Sequence, residues 1–497
     1  MRFLLACSLL SVAATVAAED PAWTRGTGLR PFTYGVTRDD APLIAWLHPE
    51  AWKLTGDQRH LLLVGEEADV QRGLAWLAKS DDARKVSAIV RPGRFTLPKD
   101  GFYDARESPE SRYLWRFLAL SGADFVLEFA DDKGGELAAA LASQEPGGVG
   151  RIPARRIACE EQALLTALRE LPQEPSAARR ELQRRAGRPA TEIAAELGGI
   201  YGKELKEVAY IPALALVAKQ RLGDHSADDV RLPFVSERTP TPKSGSEQAG
   251  HLYFRELALT ASDDPARERW IKLVQIAAET KVGHNEMSDA VFMTGPILAA
   301  AGRLTKDPAY FDRCFEHLQL MRKLCLREDG LYRHSPLCEA AWGRGNGFPA
   351  LGFDFILEDW PRDDARRKEL VAWQRSHLAA LRSKQEIDGS WRQVIDDPRS
   401  YREFTATAMI AYALFRGIQR GDLPREEFEP AAKRAWEAIK VRIGSKGVLF
   451  DVCTGTGKQK TLRDYFDRPA ILGVDARGGA MAFLLTSAVV DYEAARR

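Results

Sequence analysis

The chain has almost no net charge to offer a partner. Its 71 Lys and Arg stand against 70 Asp and Glu, a formal +1 over 497 residues. That balance gives no support for a nucleic-acid partner or for a polybasic contact with a membrane. Cysteine is scarce, six in all. Apart from Cys7 in an apolar leader, these are Cys159, Cys314, Cys325, Cys338 and Cys453, an odd, sparse set that makes no disulfide framework. No CxxC occurs. Cys314 with His317, and His334 with Cys338, stand at helical spacing, but neither has a second pair to complete a site, so no metal is expected. No segment after the leader is apolar enough to span a membrane, and no short repeat points to a solenoid.

What is there is globular: 45% hydrophobic and 28% charged residues, in a chain long enough for two domains and a large core. Arg2 precedes an apolar run at 3–16, and Val16-Ala17-Ala18 precedes Glu19. The run is shorter than the ~20 residues of a span. It reads as a signal peptide over residues 1–18, which implies export to the periplasm or the extracellular space. Too few residues precede Cys7 for a lipid-attachment site, so simple cleavage is expected.

The chain changes character near residue 150. Before it, apolar runs at 43–47, 61–64, 86–90 and 125–129 alternate with helical spacing at 70–79 and 110–121. That alternation predicts an α/β domain over 19–165 with a largely parallel sheet. From about residue 176 to 497 the pattern is helical, with amphipathic segments near 177–196, 203–222, 249–262, 265–280, 288–302, 308–326, 347–358, 363–383, 403–419, 425–442 and 478–495. Helical hairpins around a ring or stack are expected. Arg179-Arg180 and Arg184-Arg185 read as a solvated basic face.

Trp342-Gly343-Arg344-Gly345-Asn346-Gly347-Phe348 brings a ring, a guanidinium and a carboxamide together. Glycine is costly inside a helix, so its density here suggests that backbone and ligand approach closely. Trp supplies a stacking face and Arg a planar fork for an anion. The stretch is either a pocket for an acidic sugar or a tight helix entry whose Arg faces solvent. In Ser288-Asp289-Ala290-Val291-Phe292-Met293, Ser288 or Asp289 is either a helix cap or, because an apolar surface follows and Pro296 breaks the ladder, Asp289 is a buried acid/base. His334 either donates to a ligand oxygen or is structural. Trp391, after Asp388-Gly389-Ser390, is either a stacking residue at a loop tip or a core aromatic beneath it. Cys453-Thr454-Gly455-Thr456-Gly457-Lys458 lacks the spacing of a phosphate loop, which leaves a ring-lining loop.

These residues together resemble glycoside hydrolase families 88 and 105, the unsaturated glucuronyl and rhamnogalacturonyl hydrolases. The likeness is carried by Asp289 with Phe292-Met293 and Gly295-Pro296, by Leu304-Thr305-Lys306-Asp307-Pro308-Ala309-Tyr310, by Gly330-Leu331-Tyr332-Arg333-His334, by Trp342-Gly343-Arg344-Gly345-Asn346-Gly347, by Trp391-Arg392-Gln393-Val394 and by Thr454-Gly455-Thr456-Gly457. It runs over roughly residues 200–495. The resemblance implies an all-α (α/α)6 barrel preceded by the smaller α/β domain. It implies no cofactor, and a substrate that is an acidic oligosaccharide left by a polysaccharide lyase. The reaction would hydrate the enol ether of a 4,5-unsaturated uronic acid at the non-reducing end. Asp289 would be the acid/base, Trp342 and Arg344 the stacking and carboxylate-facing residues, and His334 a substrate contact. Gln248, Asn346, Phe348 and Trp391 complete the expected binding set.

Two departures stand out. Phe348-Pro349 takes the place of the motif's second Trp, and Gln248 falls where family 88 carries a second Asp. Both leave room for a non-catalytic carbohydrate-binding barrel, and a lyase or sugar epimerase on the same frame is the other alternative. The first domain more weakly resembles a zinc carboxypeptidase-like layer. The chain has Glu66-Glu67-Ala68-Asp69 where the metal-binding His-x-x-Glu would stand, so an accessory domain without zinc is expected.

Overall fold

The computed structural model describes residues 21–496 apart from 80–83, 92, 94, 97–107, 131–135, 225–229, 231–232, 235–237, 262–263 and 284–285. The expected signal peptide lies outside the described residues. Six strands form one sheet: β1 (Arg30–Val36), β2 (Pro42–Leu47), β3 (His60–Gly65), β4 (Lys85–Val90), β5 (Phe125–Phe129) and β6 (Ala154–Ile157). Their spatial order is β1-β2-β4-β3-β5-β6. The β1–β2 and β2–β4 pairs are antiparallel, and β4–β3, β3–β5 and β5–β6 are parallel. The central strands β3 and β5 are buried along their length, as continuous apolar runs in a parallel sheet should be. The sequence pattern misses β1, interrupted by Pro31 and Gly35, and β6, a four-residue edge with Arg155 and Arg156 at its centre.

From Ala177 the chain is mostly helical. Tyr210–Arg221, Leu252–Thr260, Gly295–Thr305, Gly343–Asp359, Phe404–Gln419 and Ala476–Ala494 pack each on the next, and the last packs on the first. Ala190–Ile200, Asp264–Glu279, Ala309–Cys325, Arg367–Arg382 and Arg425–Arg442 lie against them from outside. Burial separates the two sets. Ala309–Cys325 buries one stripe, including Cys314, Leu318, Met321 and Cys325, whereas Gly343–Asp359 buries every residue except Glu358. The segment expected as one helix over 177–196 is two, Ala177–Gly187 and Ala190–Ile200, parted at Arg188-Pro189 because proline cannot continue the hydrogen-bond ladder.

The two parts share a core. Phe32, Tyr34, Trp115 and Phe117 of the sheet domain belong to one apolar cluster with Trp342, Val394, Tyr401, Phe450 and Tyr465 of the helical part. Arg392, buried, donates to the Thr33 carbonyl (2.7 Å) and lies over the Phe32 ring. The basic face expected to be solvated is partly a clamp. Arg179 is buried on Asp124 (2.6 Å), and Arg185 is buried between Glu181 and the Val441 carbonyl. Among the described residues no helix is long and apolar enough to cross a membrane.

Glycine sets the closest approach in this architecture. A Cβ on Gly343 would stand 2.5 Å from the Arg392 carbonyl oxygen, and one on Gly347 would stand 2.5 Å from the Met409 methyl. The first neighbour is backbone and the second is the flexible end of a side chain. Alanine gains up to about 1 kcal/mol over glycine in a helix, so a net loss reports the clash. Gly343→Ala should destabilise the fold by about 1–3 kcal/mol, and Gly347→Ala by clearly less, as read by chemical denaturation. Equal effects would contradict this packing.

Candidate active site

Asp289 stands at a break in the helical ring. A single turn, Ala290–Met293, is followed by Thr294 at φ −112° and then by Gly295–Thr305, with Pro296 in its first turn. The Asp289 side chain caps nothing. Ser288 fixes the segment instead: its amide donates to the His334 carbonyl (2.9 Å) and its hydroxyl to the Gly345 carbonyl (2.6 Å). Asp289 Oδ1 is buried with no hydrogen-bond partner and lies 3.5 Å from His334 Nε2.

His334 is fully buried. Its ring lies against the Trp342 indole (centroids 4.3 Å apart), and its Nδ1 is 2.9 Å from the Tyr465 hydroxyl. Burial pushes the Tyr465 phenol up, so it keeps its proton. The contact accommodates the Tyr465 hydroxyl as donor to Nδ1, in which arrangement the ring proton stands on Nε2, facing a carboxylate that can only accept when ionised. His334 is therefore placed behind Asp289 and touches the cavity only through it.

The cavity in front of Asp289 measures about 260 Å³ and is lined by Tyr210, Trp342, Arg344, Phe348 and Arg477, with the loops at 244–246 and 455–456. Its size falls just under the ~300–1,000 Å³ of ordinary ligand sites and suits a single sugar ring. Phe348 stacks on Phe292 (centroids 5.6 Å) and meets Tyr210 edge-on. Arg344 lies 4.7 Å over the Trp342 ring, and its fork is engaged: Nη1 donates to the Cys453 carbonyl and Nη2 to the Thr454 carbonyl, both at 2.7 Å.

The structure thus brings Asp289, Trp342, Arg344 and Phe348 around one cavity, with His334 behind them. Three expected residues stand elsewhere. Asn346 is buried, with its amide on the Tyr332 and Trp342 carbonyls and its oxygen on the Tyr332 N–H, so it ties loop to helix. Gln248 is buried with its amide on the Ala277 and Thr280 carbonyls and its oxygen accepting from Thr294, so it braces the break after Met293. Trp391 is a core aromatic whose indole donates to the Leu381 carbonyl (2.7 Å). The glycines of the 342–348 stretch serve packing: an added Cβ on Gly345 would meet Ser288 and Trp342 at 3.0 Å. Tyr210, Arg477 and Tyr465 were missed. Signals were present beside two of them: Asp475, which caps the helix carrying Arg477, with Gly478-Gly479 directly after it, and Asp464 directly before Tyr465.

Residues 246–492 match Glycosyl Hydrolase Family 88. An unsaturated 3S-rhamnoglycuronyl hydrolase of Formosa agariphila is 27% identical over 169 residues, 30% of this chain and 45% of that protein. An unsaturated rhamnogalacturonyl hydrolase of Bacillus subtilis is 27% identical over 210 residues, 39% of this chain and 56% of that protein. The chain thus spans about half the length of these curated relatives. A solved structure described as a possible family 105 member from Salmonella enterica shares the fold, with a TM-score of 0.53 at 22% identity, over 61% of this chain and 93% of that one. The family match and the relatives support a glycosidase.

The alignment of Tyr465, His334 and Asp289 has a direct test. Nitrogen NMR of labelled histidine should show His334 as the Nε2–H tautomer, and Tyr465→Phe should shift it toward a mixture. A wild-type His334 protonated on Nδ1 would contradict the arrangement.

Proposed function

We propose that this protein removes a 4,5-unsaturated uronic acid from the non-reducing end of polysaccharide-lyase products, on an (α/α)6 barrel formed by the closed circuit of buried helices and those outside it. The observation that supports it most is that Asp289 is the one carboxyl among the described residues lining the cavity.

One carboxyl is enough for this chemistry. Protonated Asp289 delivers its proton to C4 of the enol ether, and positive charge develops at C5 and the ring oxygen. The carboxylate so formed takes a proton from water as the water oxygen bonds to C5. The resulting hemiketal opens to the C5 ketone. The hemiacetal left at C1 then breaks down to an aldehyde and releases the next sugar. The sum consumes one water and returns the proton to Asp289. Two carboxylates flanking an anomeric carbon, as in ordinary glycosidases, are not called for, which accords with Gln248 being turned away from the cavity. Trp342 and Phe348 offer rings to a planar unsaturated sugar. Nε2–H of His334 steadies the ionised carboxylate between the two proton transfers. The sheet domain is taken as accessory, and the protein as acting after export.

The test follows the conjugated double bond by its ultraviolet absorbance, with rhamnogalacturonan, glycosaminoglycan and ulvan lyase products as substrates. Wild-type protein should remove the absorbance from at least one product. Asp289→Asn should lower kcat about 10²- to 10⁴-fold without a change in thermal stability. Full activity of the variant would refute the assignment of Asp289. A rise in absorbance on intact polysaccharide would indicate a lyase, and binding without turnover a carbohydrate-binding barrel.

A further inference from the structure

Several cations at the cavity or beside its loop already have protein partners. Arg344 gives both Nη groups to the Cys453 and Thr454 carbonyls. Arg468, beside the same loop, bonds Thr454 Oγ1, Thr456 Oγ1 and the Gly455 carbonyl. Lys458 pairs with Glu286 at 3.5 Å. Arg477 differs. It lines the cavity, it is half-buried, and its guanidinium has no acceptor or ion-pair partner among the described residues. A guanidinium carries five N–H donors in a fixed plane and keeps its charge at any accessible pH. A half-buried guanidinium at the wall of a small cavity can pair with a bound anion without giving up a protein bond.

Its placement is rigid at the base. Arg477 is the second residue of Ala476–Ala494, whose first turn is capped by Asp475 accepting from the Gly478 amide at 2.7 Å. Gly478 and Gly479 press that turn onto Val452 and Tyr201, where an added Cβ would meet side-chain atoms at 2.7 and 2.1 Å. The other end rests against the loop that Arg344 and Arg468 hold. Nη2 of Arg477 would lie 3.6 Å from a Cβ on Gly455, an ordinary contact distance that places the guanidinium beside this turn.

Resting on the uronate-hydrolase reading above, we propose that Arg477 is the residue that recognises the carboxylate of the terminal sugar, while Arg344 is a positioning residue that holds the Cys453–Thr456 segment against it. The planar fork matches a carboxylate bidentately. The same carboxylate sits on C5, the carbon that water attacks, so a fixed anion at Arg477 aligns the reacting end of the sugar with Asp289. Substrate choice between acidic and neutral terminal residues then falls to Arg477.

The experiment compares kcat/KM for an unsaturated uronic-acid disaccharide and for its methyl ester. The wild-type protein, Arg477→Gln and Arg477→Lys are assayed, with thermal melting to confirm folding. A hydrogen-bonded charge pair of this kind contributes enough for about 10- to 100-fold discrimination. The wild-type protein should therefore prefer the acid by about that factor. Arg477→Gln should bring the acid-to-ester ratio close to one, chiefly through a higher KM for the acid. Arg477→Lys should restore part of the ratio, because it returns the charge without the fork. A ratio unchanged in Arg477→Gln, with the wild-type protein active, would overturn the assignment of Arg477 and leave the proposed reaction standing. Absence of turnover of both compounds by the wild-type protein would overturn the two together.

Discussion

The site depends on how closely other chain segments can approach the Gly343–Asp359 helix. Helical glycine costs about 1 kcal/mol each relative to alanine, and this helix carries Gly343, Gly345, Gly347 and Gly352. Each exposes bare backbone toward something specific. At Gly352 the Val291 carbonyl and the Phe292 backbone come within 3.0 Å of where a Cβ would stand, so the single turn after Asp289 lies flat on the helix. At Gly345 the Ser288 hydroxyl reaches the carbonyl. At Gly343 the amide donates to the Gln393 carbonyl at 2.7 Å, and the adjoining strand can close on the helix start. Gly345 and Gly352 open one side of the helix to the segment around Asp289, and Gly343 and Gly347 open the opposite side to Arg392, Ala406 and Met409, so Asp289 upstream, Trp342 at the helix entry and Arg344 in its first turn are placed relative to one another by two bare faces of one helix. Packing at the density of protein interiors makes that placement discrete.

The sheet domain takes part in the same geometry from behind. Trp342 presents one side to the cavity and belongs on the other to the cluster that contains Phe32, Tyr34 and Trp115. The strand Leu449–Cys453, which leads into the cavity loop, is held at the same junction. Phe450 packs over Gly147 and under the Arg185 guanidinium, and the buried Asp451, in left-handed conformation at φ 58°, faces Arg116 at 3.8 Å. Burial pushes the Asp451 carboxyl up against the opposing pull of Arg116 and Arg442. A domain whose side chains form the rear of Trp342 and of the loop strand cannot be a loosely tethered appendage.

Legibility in the sequence followed the kind of signal. Helical spacing and apolar runs are collective properties of many residues. They placed the helices from Ala309–Cys325 to Ala476–Ala494, and strands β2 to β5, close to where they lie. Strands β1 and β6 escaped because proline, glycine and arginine interrupt the apolar pattern that burial of neighbouring strands makes unnecessary at an edge. Individual roles were less legible, because residue type does not fix direction. Asn346, Gln248 and Trp391 carry the polar or aromatic groups of a binding site, yet each satisfies them on backbone carbonyls in the interior. The glycine density near Trp342 was a true signal of close approach, but the approaching partner was the protein's own backbone. Arg477 and Tyr210 were invisible because what distinguishes them is the wall they share with residues more than a hundred positions away.

Arg344 and Arg477 show how far counting donors goes beyond naming residues. The two side chains are chemically identical and line the same cavity. Arg344 sits where three carbonyl or hydroxyl oxygens converge on it, two of them at 2.7 Å, with an indole beneath. For a ligand carboxylate to recruit Arg344, it would have to replace bonds that hold the cavity loop, and the loop would loosen as substrate bound. Arg477 has no such bonds to lose, so a carboxylate there gains charge-assisted hydrogen bonds at little cost in protein structure. The energetic difference between exchanging bonds and forming new ones is what separates a group that shapes a site from a group that binds in it. On that ground the conspicuous arginine of the Trp-Gly-Arg stretch builds the wall, and the inconspicuous one at the start of the last helix meets the ligand.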